Sequence, residues 1–284
     1  MNYSLRTDLA SESRDLWRKS AGDTSALPGV SAAKETREGL ELDRIEILDE
    51  RGERALGKPT GRYLTLRLDA LERREADAFE RSCTVLAGLL REALALEGGE
   101  SVLVVGLGNE AITPDALGPL AARHTMVTRH LKERLPGEFA AFREVSVFCS
   151  GVLGTTGLES SALVGAVSSL SRPGRIVAID ALCAAGAEKL CRTVQVSDAG
   201  IVPGSGVGNA RAALSRETLG VPVAAVGMPT VVDAAVFGAG EEGFIVTPRD
   251  IDRQVRDGAR LIGYALNLAL HPGLTIADVD MFLS

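Results

Sequence analysis

The stretch "SVLVVGLGNEAITPDALGP", residues 101–119, decides the fold. Residues 102–107 are apolar without alternation, which suits a strand buried on both faces. Gly106 and Gly108 allow a tight turn at its end, and Asp115 follows Pro114 where a helix should start. Working outward, further strand runs appear at "EVSVFCSG" (144–151), "RIVAIDAL" (175–182), "TVQVSD" (193–198) and "VPVAAVGMPTV" (221–231). Helices are expected between them over 116–134, 157–171 and 208–217, with another over 69–97. A long last helix is expected over 248–270, burying Ile251, Val255, Leu261, Leu266 and Leu270. This alternation predicts an α/β protein whose central, mostly parallel or mixed sheet is flanked by helices and joined by right-handed crossovers. Ahead of it, "LDRIEILDERGERALGKPTGRYLTLRL" (42–68) holds two period-2 runs around a Gly/Pro-rich turn, the pattern of a small hairpin or two edge strands. Residues 1 to about 40 are rich in charge, Ser, Ala and Gly, and read as a detachable leader with a short amphipathic turn around Trp17.

Composition narrows the function classes. The 284 residues, 45% hydrophobic, suffice for one sizeable core, and 31 glycines with 4% aromatics suit an aliphatic α/β interior. A formal net charge of −7 opposes sequence-independent binding to nucleic-acid phosphates. No signal sequence and no run of eighteen apolar residues is evident, so no membrane association is expected and a cytoplasmic location is. Cys83, Cys149, Cys183 and Cys191 form no CxxC pair and read as reduced, mostly buried thiols.

In open parallel sheets, ligands bind beyond the carboxyl ends of the strands, so the residues there carry the chemistry. Asp115 follows the first such strand, where it also suits a plain helix-terminal carboxylate stabilised by the macrodipole. Asp180 ends the apolar run "RIVAI", where burying a carboxylate is costly unless it is hydrogen-bonded or shares a proton. Two acids meeting in one cleft hold their pKa values apart, one serving as base toward water and the other as acid toward a leaving amine. That is amide hydrolysis with neither metal nor cofactor. A hard-metal variant would add Asp198 or Asp233 to the pair. "GLGNEA" matches the dinucleotide fingerprint incompletely, because Pro114 falls where the binding helix should run and no ribose-binding acid follows. "PGSGVGNAR" (203–211) offers Gly204, Ser205 and Gly206 as a substrate or oxyanion contact, or serves only as a Gly-rich turn. His124, His130 and His271 are too few and too scattered for a serine triad or a zinc site, and His124 and His130 suit a polar helix surface.

The order "RTDLA", "VLVVGLGN", "TPDALGP", "VTRHL", "AIDAL", "SDAGIVPGSGVGN", "ETLGVPV", "GMPTVVDA", then "FIVTPRDID" and "LNLALH", resembles the germination proteases of spore-forming bacteria. The resemblance implies a phosphorylase/hydrolase-like fold related to hydrogenase-maturation peptidases, and an endopeptidase that degrades small acid-soluble spore proteins in the spore core. It implies a homotetramer made as a self-processing zymogen, with the family's two proposed catalytic aspartates on Asp115 and Asp180. It also gives "DLASE" (8–12) a meaning: the family cuts after an acid that precedes an apolar residue, Ala, a small residue and Glu. The expected cut therefore falls between Asp8 and Leu9, leaving residues 1–8 as propeptide and 9–284 as a single peptidase domain. Between Phe237 and Phe244 only "GAGEEG" stands where familiar members carry a long charged insertion. Two other readings use the same residues: a metal-assisted peptidase of the hydrogenase-maturation type, and a catalytically silent binding module on the same fold.

Overall fold

The computed structural model describes residues 6–21, 27–237 and 244–283. The short segment 238–243 lies outside the described residues. Among the described residues nine strands form one sheet: β1 (Val30–Arg37), β2 (Leu40–Ile47), β3 (Gly61–Arg67), β4 (Val102–Leu107), β5 (Val145–Gly151), β6 (Arg175–Ala184), β7 (Thr193–Ser197), β8 (Val223–Asp233) and β9 (Ile245–Val246). Their order is β1-β2-β3-β7-β8-β6-β4-β5, with β9 paired to β8. β8, β6, β4 and β5 run parallel, whereas β1, β2, β3 and β7 are joined by antiparallel pairings. β7 also runs antiparallel to β8, so the sheet changes character at that seam.

The continuous apolar runs follow from burial on both faces. On one face Val102, Val104, Val177, Ile179, Val194, Val196 and Val226 join the large core with the helices Ala78–Leu94, Leu117–Arg123 and Ile251–Leu270. On the other face Leu103, Val105, Leu107, Ile176 and Ala178 pack with Val164 of the helix Ser160–Ser171. The five apolar residues expected on the last long helix are all buried.

Several expectations need correction. The leader is built into the fold: the helix Ala10–Ala21 packs Ala10 and Trp17 against Leu27, Ile45, Ile47 and Tyr63, and residues 30–37 form β1. β2 and β3 do pair antiparallel, but the helix Glu50–Leu56, capped by Asp49, joins them instead of a plain turn. β7 is antiparallel to both neighbours rather than part of the parallel set. Finally, the expected helix over 208–217 is absent; the chain makes a short 3-10 turn at Ser205–Val207 and one helical turn at Arg216–Leu219. Glycines at 204 and 208, both with φ of 74°, take the left-handed backbone there and stop a helix from propagating. The helices over 69–97 and 116–134 are likewise each broken in two, into Asp69–Glu72 with Ala78–Leu94 and Leu117–Arg123 with Arg129–Arg134.

The helix Leu117–Arg123 sits directly on the end of β4 and against the middle of β6 because Gly118 has no side chain. A Cβ there would stand 2.1 Å from the Leu107 carbonyl oxygen and 2.6 Å from that of Ile179, both fixed backbone atoms. Gly118→Ala should therefore cost about 3 kcal/mol in urea unfolding, since neither strand can retreat. Gly88→Ala, in the helix Ala78–Leu94 with nothing near its Cβ position, should instead gain about 1 kcal/mol from helix propensity.

Candidate active site

Asp180 sits within β6 rather than at its end, one residue past the point where pairing with β4 stops, and is 6% exposed. Its Oδ1 accepts the Ala181 N–H at 2.9 Å. Burial drives its pKa well above the usual carboxylate range, and the neighbouring charges of Asp115 and Asp8 push it further in the same direction. Asp115 arrives from the end of β4 on the 3-10 turn Thr113–Asp115. Its Oδ2 accepts the Asn109 N–H at 2.8 Å, which favours the charged form, but burial prevails and its pKa too is raised. Gly108, at φ 112°, makes this approach feasible, for a Cβ would lie 2.0 Å from the Asp115 carbonyl oxygen. The structure thus brings together the two acids singled out in the sequence.

The third acid in range belongs to the leader. Asp8 donates its N–H to the Cys183 carbonyl at 2.9 Å, and its carboxylate accepts from the Cys183 N–H at 2.8 Å and the Ser205 hydroxyl at 2.6 Å. Leu9 is fully buried against Leu182 and Ala184. The Gln195 side chain spans the next peptides, donating from Nε2 to the Asp8 carbonyl at 3.0 Å and accepting the Ala10 N–H on Oε1 at 2.8 Å. Glu12, buried, takes the Ala185 N–H at 2.7 Å and the Thr7 hydroxyl, and burial raises its pKa. Lys58 donates to the Thr7 carbonyl at 3.1 Å; desolvation lowers its pKa, against the pull of Asp8 and Glu12. Residues 7–12 are thus held by main-chain and side-chain bonds like a bound peptide.

The glycine loop meets this peptide through its side chain rather than its carbonyl. Ser205 holds the Asp8 carboxylate, and Gly206 leaves room for it, since a Cβ would stand 2.2 Å from Asp8 Oδ2. Gly204 only turns the loop, packed against Asn209. Asp198 is engaged by Arg62 at 2.7 Å, and Asp233 caps the Ala235 N–H. Neither joins the acid pair in a group of three His, Cys, Asp or Glu side chains able to hold a metal among the described residues. His130 is exposed, His124 stacks its edge on Tyr264, and His271 is buried with its pKa down to about 4 through desolvation. Of the thiols, Cys83 and Cys183 are buried, Cys191 is half-buried and Cys149 is exposed. Among the described residues no helix is long and apolar enough to cross a membrane.

The germination protease family model matches residues 8–241. The chain belongs to the germination protease family. It is 39% identical over 322 residues to the germination protease of Caldanaerobacter subterraneus subsp. tengcongensis, covering 98% of each chain. Identity to the Clostridium tetani germination protease is 36% over 328 residues, covering 99% of this chain and 100% of that one. For the Bacillus licheniformis germination protease it is 39% over 260 residues, covering 90% and 70%. Among solved structures the chain is similar to a NiFe hydrogenase maturation protease from Thermococcus kodakarensis, with 20% identity, a TM-score of 0.37 and coverage of 64% of this chain and 98% of that one. Membership of the germination protease family makes the molecule a protease, a hydrolase of peptide bonds.

Sequence reasoning missed Gln195 and Lys58. Gln195 carried a usable signal: it is a polar residue between Val194 and Val196, opposite the face those valines bury. Lys58 lies in a Gly/Pro-rich loop and carries no pattern at all.

The raised pKa of Asp180 fixes the sign of one measurement. A carboxyl that holds its proton more tightly in the folded chain stabilises the fold fully below its unfolded pKa, and that contribution is lost as pH rises through the folded value. Asp180→Asn cannot titrate. Its stability relative to wild type should therefore increase as pH rises above the ordinary carboxylate range, by up to about 1.4 kcal/mol per pH unit until the raised folded value is passed. Urea titrations at several pH values check this; a difference independent of pH would mean that Asp180 keeps an ordinary pKa.

Proposed function

We propose that this germination protease cuts its own chain between Asp8 and Leu9, using Asp115 and Asp180 as its acid-base pair. The observation that carries the reading is the docked Asp8–Leu9 peptide, bound at both ends beside a buried carboxyl whose pKa burial raises. Asp180, more deeply buried and facing two other acids, keeps the proton. Asp115, half-buried and accepting an N–H, is the group that ionises and draws a proton from the attacking water. Water adds to the Asp8 carbonyl carbon, the C–N bond breaks, and Asp180 gives its proton to the Leu9 nitrogen. The two carboxyls titrate as a coupled pair, and mild acidification favours the state in which they share one proton.

On this reading residues 1–8 are the propeptide, 9–284 the peptidase domain, and the trans substrates are small acid-soluble spore proteins carrying an acid followed by an apolar residue. The family resemblance further suggests a homotetramer in the spore core, to be checked by light scattering; a monodisperse monomer would refute that assembly. Asp115→Asn and Asp180→Asn should each slow the self-cut by at least about 100-fold while remaining folded. The double variant should be little worse than either single one, since the pair acts as a unit. Leu9→Lys should also block the cut, because its charge cannot enter the pocket formed by Leu182 and Ala184. Intact-mass time courses, run with and without chelator, read the loss of residues 1–8; near-normal cutting by either folded Asn variant would sink the pair.

A further inference from the structure

Gln195, Gly227 and Asp180 lie in register on three adjacent strands: Gln195 pairs with Gly227 across β7 and β8, and Gly227 with Asp180 across β8 and β6. Residues in register project to the same face of a sheet, so Gln195 and Asp180 stand on one face, two strand spacings or about 10 Å apart. The residue between them has no side chain, and none would fit, since a Cβ at 227 would meet the Asp180 carbonyl oxygen at 2.4 Å. Across this row runs the leader. Its Asp8 carbonyl accepts the Gln195 Nε2–H at 3.0 Å, and the same amide takes the Ala10 N–H on its oxygen.

We propose that Gln195 is a catalytic residue of the self-cut, its side-chain amide donating to the oxygen that becomes negatively charged when water adds to the Asp8 carbonyl. This inference rests on the cut being at Asp8–Leu9. Three features suit Gln195 to the role. It is 7% exposed, so its dipole acts where little water competes. Its second hydrogen bond, to the Ala10 N–H, fixes the amide's orientation, so the donor is aimed before reaction and no reorganisation is needed. And it stands in register with Asp180 across the glycine gap, so the donor and the acid project from one face of the sheet. As water adds, the carbonyl π pair moves onto oxygen and the bond from Nε2–H shortens; when the C–N bond breaks, the pair returns and the donor is released unchanged. The bond to the Ala10 N–H is made equally before and during reaction. It serves register, placing the Asp8 carbonyl and not a neighbouring one in the row.

The test uses the full chain, because self-cleavage is a single turnover that begins from an already docked leader. Wild type, Gln195→Met, Gln195→Asn and Asp180→Asn are followed by intact mass for the loss of residues 1–8. Hydrogen exchange at the Asp8 N–H, which bonds to Cys183 and not to Gln195, reports docking in the same samples. Gln195→Met is expected to slow the cut by about 100- to 1,000-fold, as loss of one oxyanion donor does, with Asp8 protection kept. Gln195→Asn, one methylene shorter, withdraws the same amide and should show the same loss if the Met variant does not fold. The proposal is overturned if either folded variant cuts within threefold of wild type, or if the loss of rate is matched by loss of Asp8 protection, which would make Gln195 a docking residue only. An inactive Asp180→Asn beside an active Gln195→Met removes this inference alone. A wild-type chain that never cuts after Asp8 removes both it and the reading beneath it.

Discussion

A carboxyl group within a doubly buried strand must be neutral or answered by hydrogen bonds, and Asp180 accepts one backbone N–H while facing two further acids that favour its neutral form. The architecture around it follows from that constraint. β6 carries Val177 and Ile179 into one core and Ile176 and Ala178 into the other, so the strand cannot move to expose Asp180. What moves toward it is backbone. Gly108 admits the Asp115 turn, Gly118 admits a helix onto β4 and β6, and Gly227 keeps the neighbouring strand's side chains clear. Each of these glycines stands where a methyl group would strike a carbonyl oxygen.

Much of this was legible in the sequence, for a physical reason. Strands covered on both faces give unbroken apolar runs, so β4, β6 and β8 stood out, and an acid ending such a run stood out with them. The helix Ile251–Leu270 was equally plain from the spacing of its five apolar residues. β1 was not legible, since it lies at the sheet edge with nearly every side chain wet and no alternation to read. Nor was the direction of β7, because side-chain period says nothing about which neighbour a strand chooses. The docking of the leader depends on two residues, Leu9 and Ala10, that enter two different apolar clusters. Two residues are too few to make a period. Gln195 was hidden otherwise: its parity marks it as readily as that of Asp180, but a neutral amide draws no attention where a charge does.

The sheet is two half-sheets joined along β7 and β8. The parallel half supplies Asp180 and, from the end of β4, Asp115. The antiparallel half supplies Gln195 and the elements bearing Lys58 and the helix Ala10–Ala21. Neither half holds the leader alone, since Cys183 and Ala185 grip it from one side and Gln195 and Lys58 from the other. Docking of residues 7–12 therefore reports whether the two halves are correctly joined.

The covalent continuity of that docked segment has a consequence for competition. A tethered peptide occupies its groove at an effective concentration of order millimolar, with no loss of translational freedom each time it returns. A free peptide that binds as residues 7–12 do, at any lower concentration, is outnumbered at the groove while Asp8 and Leu9 remain joined. On the proposed reading, hydrolysis of that one bond would turn the side ending at Asp8 into a ligand that diffuses away and is diluted, while Leu9–Glu12 would stay tethered. The part of the groove that holds Thr7 and Asp8 would then pass from a first-order regime, set by the chain itself, to a second-order one set by how much substrate surrounds it.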